Sequence, residues 1–196
     1  MNSPDLIQQD HSLRTEADTL VDRHSVLELL HQYGVPHLSG SYAMRLMTWR
    51  DLDIYLAMTE LKIDRFLELG QRLATALKPR KASYIDHLHF PSTEGVKGLY
   101  WGIHTGMPHE GGWKIDLWGV TPDVAAERVA YCDRLQAKMT GKMREQVLTI
   151  KQVVCRHPRY RDTVTSQDVY DSVIMGGAVT VEDFWSYKDG VSTGRG

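Results

Sequence analysis

The chain has 196 residues, of which 42% are hydrophobic and 24% are charged, as is usual for globular proteins in water. This length suits one domain of ordinary size, or a core with a small helical appendage. A formal net charge of −2 excludes the strong overall basicity of proteins that bind nucleic acids tightly and non-specifically, although a local basic groove is compatible with it.

Targeting and redox signals favour a cytoplasmic protein. The first residues, MNSPDLIQQDHSLR, lack a basic start followed by an apolar run, and no segment approaches eighteen apolar residues. We therefore expect neither secretion nor membrane insertion. Cys132 and Cys155 lie in predicted helices without metal-ligand spacing, so both are expected to be reduced thiols.

Helix and strand signals alternate over the first 120 residues. Asp5 is compatible with the start of a short helix, but Thr15 followed by Asp18 is a better start signal of the capping-box type. The apolar periodicity then predicts strands at 35–38 and 51–56, a helix at 63–77, and three further strands at 83–90, 98–105 and 113–120.

Four helices are predicted from residue 121 onward. Thr121 followed by proline is a start signal, and so are Thr165 and Thr180, each with aspartate three residues later. Another helix has an apolar stripe that includes Val147 and Ile150. We therefore divide the chain into a core at 1–120, a helical region at 121–188 and a disordered tail at 189–196.

Two carboxylates share one face of the strand 51–56. Asp51 and Asp53 alternate with Leu52 and Ile54, so strand geometry places the acids on one side and the aliphatic residues on the other. The two acidic side chains attach about 7 Å apart and repel each other, which a bound divalent cation relieves. Solvated acids on an exposed edge strand are the alternative.

A third carboxylate lies on a later strand. Asp116 interrupts the apolar run of WKIDLWG and faces away from Ile115 and Leu117. Taken alone, it could be the buried ion-pair partner of Lys114 or Arg80. Together with Asp51 and Asp53, we favour a catalytic role.

A glycine-serine pair precedes the first two carboxylates at a characteristic distance. Gly40-Ser41 is followed, after nine residues, by Asp51-Leu52-Asp53-Ile54. This arrangement resembles the signature of the nucleotidyltransferase superfamily that includes DNA polymerase beta and the kanamycin and lincosamide nucleotidyltransferases. The one departure is Ser39 where that signature has a hydrophobic residue. The resemblance implies an α+β (α/β two-layer) fold with a mixed or antiparallel sheet and a C-terminal helical region.

The resemblance also implies a reaction and its participants. A nucleoside monophosphate would pass from a triphosphate, with ATP as the expected donor, to an acceptor hydroxyl, with release of pyrophosphate. Asp51 and Asp53 would bridge two Mg²⁺ ions, while Asp116 would bind the ion nearer the acceptor and could take its proton. The triphosphate would be held by Gly40 and Ser41.

Two arginines are candidate phosphate contacts, because a guanidinium fork matches phosphate oxygens. These are Arg45 and Arg50. Each could equally be a surface residue, and Arg50 could pair with Asp51 or its neighbours.

The size and two-part layout resemble the small bacterial enzymes that modify antibiotics. We therefore expect a small-molecule acceptor, no extended nucleic-acid contacts, no membrane association, and a monomer or homodimer. A different class of function is a nucleotidyltransferase-like antitoxin or interaction protein that binds or modifies a protein or RNA partner. Retention of three carboxylates argues against an inert pseudoenzyme.

Histidines and aromatic residues supply the competing interpretations. His87 and His89 would share one face if they lay on a strand and could then bind zinc, although no further ligand stands at a diagnostic spacing. Trp101 and Trp118 could stack a base, but sheet packing is the better default.

Overall fold

The computed structural model describes residues 5–91, 95–107 and 111–193, and within them eight helices and five strands form an α+β fold, as predicted. The strands are β1 (Val35–Leu38), β2 (Asp51–Ala57), β3 (Lys81–Asp86), β4 (Leu99–His104) and β5 (Lys114–Val120). The helices are α1 (Leu6–Arg23), α2 (Val26–His31), α3 (Gly40–Ala43), α4 (Ile63–Leu77), α5 (Pro122–Lys138), α6 (Gly141–Val154), α7 (Ser166–Ile174) and α8 (Val181–Thr193).

The five strands form one mixed sheet in the order β1-β2-β5-β4-β3. Only β2 and β5 run parallel among these strands, and the other neighbours are antiparallel. In the parallel pair, Asp53 stands opposite Asp116 and Asp51 stands opposite Lys114. The register therefore brings the three carboxylates predicted from the sequence to one region of the sheet.

One face of the sheet forms the main hydrophobic core. Leu52 and Ile54 of β2 are buried against Phe66 and Leu69 of α4, and α1 and α2 complete the cover. Burial of each such side chain contributes roughly 1.5–3 kcal/mol. Because side chains alternate along a strand, this burial turns Asp51, Asp53 and Asp116 to the opposite face.

A second core fills the helical region. It joins α5, α6, α7 and α8 to Met44 and Leu46, which follow α3. Thr165 and Asp168 form the predicted capping box at the start of α7. The last helix, α8, continues to Thr193, so residues 189–193 of the predicted tail are helical, and residues 194–196 lie outside the described part of the chain.

Helix α1 begins earlier than the stronger sequence signal indicates. Asp5 caps it by accepting hydrogen bonds from the backbone amides of Ile7 and Gln8. Thr15 instead lies in mid-helix, and its hydroxyl donates to the carbonyl of His11 one turn earlier.

None of the helices in the described ranges combines the length and the apolar composition that a membrane span requires.

Candidate functional site

Gly40 lies in close contact with Asp53 at one side of the site. Strand β1 ends just before it, and the Ser39 amide donates to the backbone carbonyl of Asp53 over 2.9 Å. Gly40 has φ +57°, and a Cβ there would overlap Oδ2 of Asp53. Glycine is therefore required both for the left-handed backbone and for its close approach to the carboxylate.

The three carboxylates share the polar face of the adjacent strands β2 and β5. Asp51 and Asp53 lie on β2 and Asp116 lies on β5. The side chains of Asp51 and Asp116 keep only 18% and 14% of their surface exposed. Such acids need a compensating positive charge, because a buried carboxylate without a partner is strongly destabilising.

Lys114 supplies part of that charge. Its Nζ lies 3.2 Å from Oδ1 of Asp51 and contacts Oδ2 of Asp116 directly. Burial lowers the pKa of Lys114, but the two carboxylates outweigh that effect and raise the pKa above its ordinary value. Tyr100 donates its hydroxyl to the other oxygen of Asp116 over 2.5 Å.

Asp53 has a strongly raised pKa. Burial, together with the charges of Asp51 and Asp116, raises its pKa from the ordinary 3.8 to about 7. Lys114 and Lys151 oppose the rise but do not cancel it. The two lysines therefore do not fully offset the negative charge of the acids, and a divalent cation, with twice the charge of an ammonium, would do so better.

Lys151 reaches the same region from α6. It is 1% exposed, and its Nζ donates to the carbonyl of Leu46 over 2.8 Å while lying 4.5 Å from the ring centre of Trp49. Burial lowers its pKa to about 8, although Asp51 and Asp53 favour the charged form. The sequence signal for it is a lysine four residues after Val147 on an otherwise buried helix face.

Two cavities share Trp49 in their linings. One, of about 440 Å³, is lined by Gly40, Ser41, Asp51 and Asp53 and by residues of the helical region, including Lys151. We call it the glycine-side cavity. The other, of about 550 Å³, we call the basic cavity; its lining includes Trp49, Arg50, His104, Trp113, Lys114, Arg156, Tyr160 and Arg161.

Asp51 lines the glycine-side cavity and contacts residues that line the basic cavity. The indole N–H of Trp49 donates to Oδ2 of Asp51 over 3.2 Å, and Arg161 lies 3.6 Å from the same oxygen. Trp49 also packs edge-on against Tyr160, with ring centres 5.7 Å apart. The helical region thus contributes directly to the site, which no sequence motif in that region indicates.

The two candidate phosphate arginines are placed differently from the carboxylates. Arg45 is exposed, has φ +59° and lines neither cavity. Arg50 forms a two-pronged ion pair with Glu16 of α1 at 2.7 and 3.1 Å and lines the basic cavity. Its partner is therefore a glutamate from the N-terminal helix, and not Asp51.

The histidines predicted to share a strand face lie beyond the end of β3, in the turn that follows Asp86. His89 Nδ1 lies 2.9 Å from Oδ2 of Asp86, and the His87 ring stacks on Trp118 at 5.3 Å. Trp101 donates its indole N–H to the carbonyl of Phe66, as expected of a packing residue. The placement of His87 and His89 removes the basis for the zinc alternative.

The donor set at the carboxylates suits a hard divalent cation, since oxygen ligands are those that Mg²⁺ prefers. Within the described residues, no three histidine, cysteine or acidic side chains are already gathered as metal ligands. The Lys114 ammonium contacts both Asp51 and Asp116, so these two acids already have a cationic partner. Asp51 and Asp53, beside Gly40, are the residues that fit such an ion.

No protein-family model matches the chain, and no curated protein sequence matches it. Solved structures do. The chain resembles a cytoplasmic RNA terminal U-transferase (TM-score 0.55, 10% identity, 86% of this chain and 53% of that one). It also resembles Cid1, described as an RNA terminal uridylyl transferase (TM-score 0.56, 12% identity, 84% of this chain and 48% of that one). A mutant of the Cid1 poly(U) polymerase bound to MgATP is similar as well (TM-score 0.51, 11% identity, 87% of this chain and 50% of that one).

These neighbours belong to the nucleotidyltransferase superfamily, so the fold implied by the sequence signature is confirmed. The chain spans about half the length of each of them. Two of the predicted partner properties were wrong: the neighbours are RNA terminal transferases, which contradicts a small-molecule acceptor and the expectation of no extended nucleic-acid contacts.

Proposed function

We propose that this chain, which has the nucleotidyltransferase fold, is a metal-dependent enzyme that transfers a nucleoside monophosphate from a triphosphate to the terminal hydroxyl of RNA. One observation carries the proposal: Asp53 lies against Gly40 and opposite Asp116 on the adjacent strand, and Asp51 lines the same cavity as Asp53 and Gly40. The RNA-specific neighbours support the choice of acceptor.

The glycine-side cavity would hold the triphosphate. Gly40 permits close approach of the backbone, Ser41 offers a hydroxyl, and Lys151 provides a buried positive charge. Asp51 and Asp53 would hold Mg²⁺, which supplies charge neutralisation for the phosphates when bound. ATP is the donor expected from the sequence signature, and the uridylyl-transferring neighbours make UTP its competitor.

The basic cavity would hold the end of the RNA. Among its described lining residues are several cations and no acid, and Trp49, Trp113 and Tyr160 add aromatic surface. Cations contact phosphates, and aromatic rings stack on bases without strong sequence preference. Such a local groove reconciles RNA binding with a formal net charge of −2.

The reaction would take place where the cavities meet. The terminal hydroxyl oxygen would form a bond to the α-phosphorus while the bond from that phosphorus to the bridging oxygen breaks and pyrophosphate leaves. Asp116, on the strand that also carries Lys114, would accept the hydroxyl proton. Protein groups would position the reactants in line and stabilise the developing charge.

The test is extension of a short labelled RNA with a free 3′ hydroxyl in the presence of Mg²⁺ and each of the four triphosphates in turn. We expect extension with at least one nucleotide, and none when the 3′ end carries a phosphate. Asp53→Asn and Asp116→Asn should abolish extension, while Asp133→Asn, an exposed position on α5, should not. Equal extension by all three variants would refute the proposed site.

A further inference from the structure

Lys114 occupies a position that the strand register fixes. It lies directly across the parallel ladder from Asp51 and two residues before Asp116 on the same strand. Its side chain therefore projects from the same face as both acids. The ammonium contacts both carboxylates and remains only 25% exposed, so it is enclosed between them.

A divalent ion and this ammonium compete for the same place. Metal ligation by Asp51 and Asp116 would require their oxygens to converge on one point, whereas both now converge on Nζ of Lys114. Two cations at such short range repel strongly in a partly buried site. Asp51 and Asp53 differ in this respect, since the glycine-side cavity opens onto both.

We propose that the Lys114 ammonium takes the place of a metal ion between Asp51 and Asp116. The protein then binds one divalent ion per nucleotide, at Asp51 and Asp53, whereas the superfamily signature implies two. This inference rests on the proposed function. The ammonium neutralises the acids on the acceptor side, so the second ion is not needed for charge balance. Lys114 also lines the basic cavity, which places its charge beside the expected RNA terminus.

Removal of the ammonium should create the second metal site. Lys114→Met keeps a long unbranched side chain but leaves Asp51 and Asp116 without their cation, so a divalent ion should take its place. Lys114→Arg retains the positive charge and should keep the count at one. Lys62→Met is the control, because Lys62 is an exposed lysine paired with Glu60.

The experiment counts bound Mn²⁺ by electron paramagnetic resonance, with a non-hydrolysable triphosphate analogue present and the analogue alone as the blank. We expect one ion in the wild type, in Lys114→Arg and in Lys62→Met, and two in Lys114→Met. Circular dichroism checks that each variant is folded. The wild-type count is decisive by itself if Lys114→Met fails to fold.

The outcomes separate this inference from the proposed function. Two ions in the wild type would show that the Lys114 ammonium moves away from Asp51 and Asp116. One ion in a folded Lys114→Met would show that the ammonium does not exclude a second ion. Either result overturns the role of Lys114 and leaves metal-dependent transfer intact. Absence of protein-dependent Mn²⁺ binding in every variant would overturn the metal-dependent function and this inference with it.

Discussion

Replacing Asp53 with asparagine should stabilise the fold while it removes activity. In the absence of metal, the pKa of Asp53 is raised from 3.8 to about 7 by burial and by its acidic neighbours. At about 1.4 kcal/mol per pH unit, its ionised form is disfavoured by about 4 kcal/mol in the folded protein. Asparagine has no charge to bury, so part of this free energy is recovered.

The effect of Asp53→Asn on stability should depend on pH. A carboxyl whose pKa is raised by folding stabilises the protein when it is protonated, below about pH 4, and loses that contribution as the pH rises to about 7. Asp53→Asn should therefore match the wild type near pH 4 and exceed it at pH 8. A gain of about 1 kcal/mol would raise the melting temperature by roughly 2–4 °C.

The assay is thermal unfolding in EDTA at both pH values, with Asp133→Asn as the exposed control. Adding Mg²⁺ and a triphosphate should then raise the melting temperature of the wild type and not that of Asp53→Asn, because ligand binding to the native state alone stabilises it. An unchanged or lower melting temperature for Asp53→Asn at pH 8 in EDTA would refute the electrostatic reasoning.

Three further substitutions test other parts of the structure. Gly40→Ala should weaken triphosphate binding, measured by calorimetry, about tenfold or more, because the added Cβ displaces Asp53. Gly177→Ala is the control: Gly177 has φ +68° and open space around it, so alanine there should cost only about 1 kcal/mol of stability and leave binding normal. Lys151→Met should weaken the same binding about tenfold, through loss of a buried charge, with little change in urea denaturation. Asp10→Ala should lower the free energy of unfolding by about 3–5 kcal/mol in urea, because the buried carboxylate accepts from the Met47 amide and pairs with an arginine of α6; a loss below 1 kcal/mol would contradict this assignment.

The sequence predicts those features of the site that depend on local geometry. Alternation along a strand is sufficient to place Asp51 and Asp53 on one face, and an acid in an apolar run is sufficient to single out Asp116. Gly40 follows from its distance to the first acid. Apolar spacing also distinguishes helices from strands, whereas the class of sheet is implied by the family resemblance alone.

Long-range partners are not encoded in local patterns. Arg50 pairs with Glu16, which lies 34 residues earlier. Lys151 lines the glycine-side cavity because α6 packs against Met44 and Leu46, which follow α3. The strand pattern places Lys114 on the face of Asp116, but only the parallel register puts it opposite Asp51. Contacts between residues of different helices and strands depend on how those elements pack, which sequence periodicity does not specify.

Local signals also compete. Thr15 satisfies the pattern of a helix start, yet the apolar face of α1 continues through it, with Leu13 and Ala17 buried in the main core. Burial of that face outweighs a capping preference of about 1 kcal/mol. The Thr15 hydroxyl then bonds within the helix.

The most direct test of nucleotidyl transfer is the intact mass of the RNA product. After incubation of the wild type with Mg²⁺, a triphosphate and a synthetic RNA, we expect RNA that is heavier by whole nucleoside monophosphates, with one pyrophosphate released for each addition. Asp116→Asn should leave the RNA mass unchanged. RNA of unaltered mass with every triphosphate, despite Mg²⁺-dependent nucleotide binding, would contradict RNA as the acceptor.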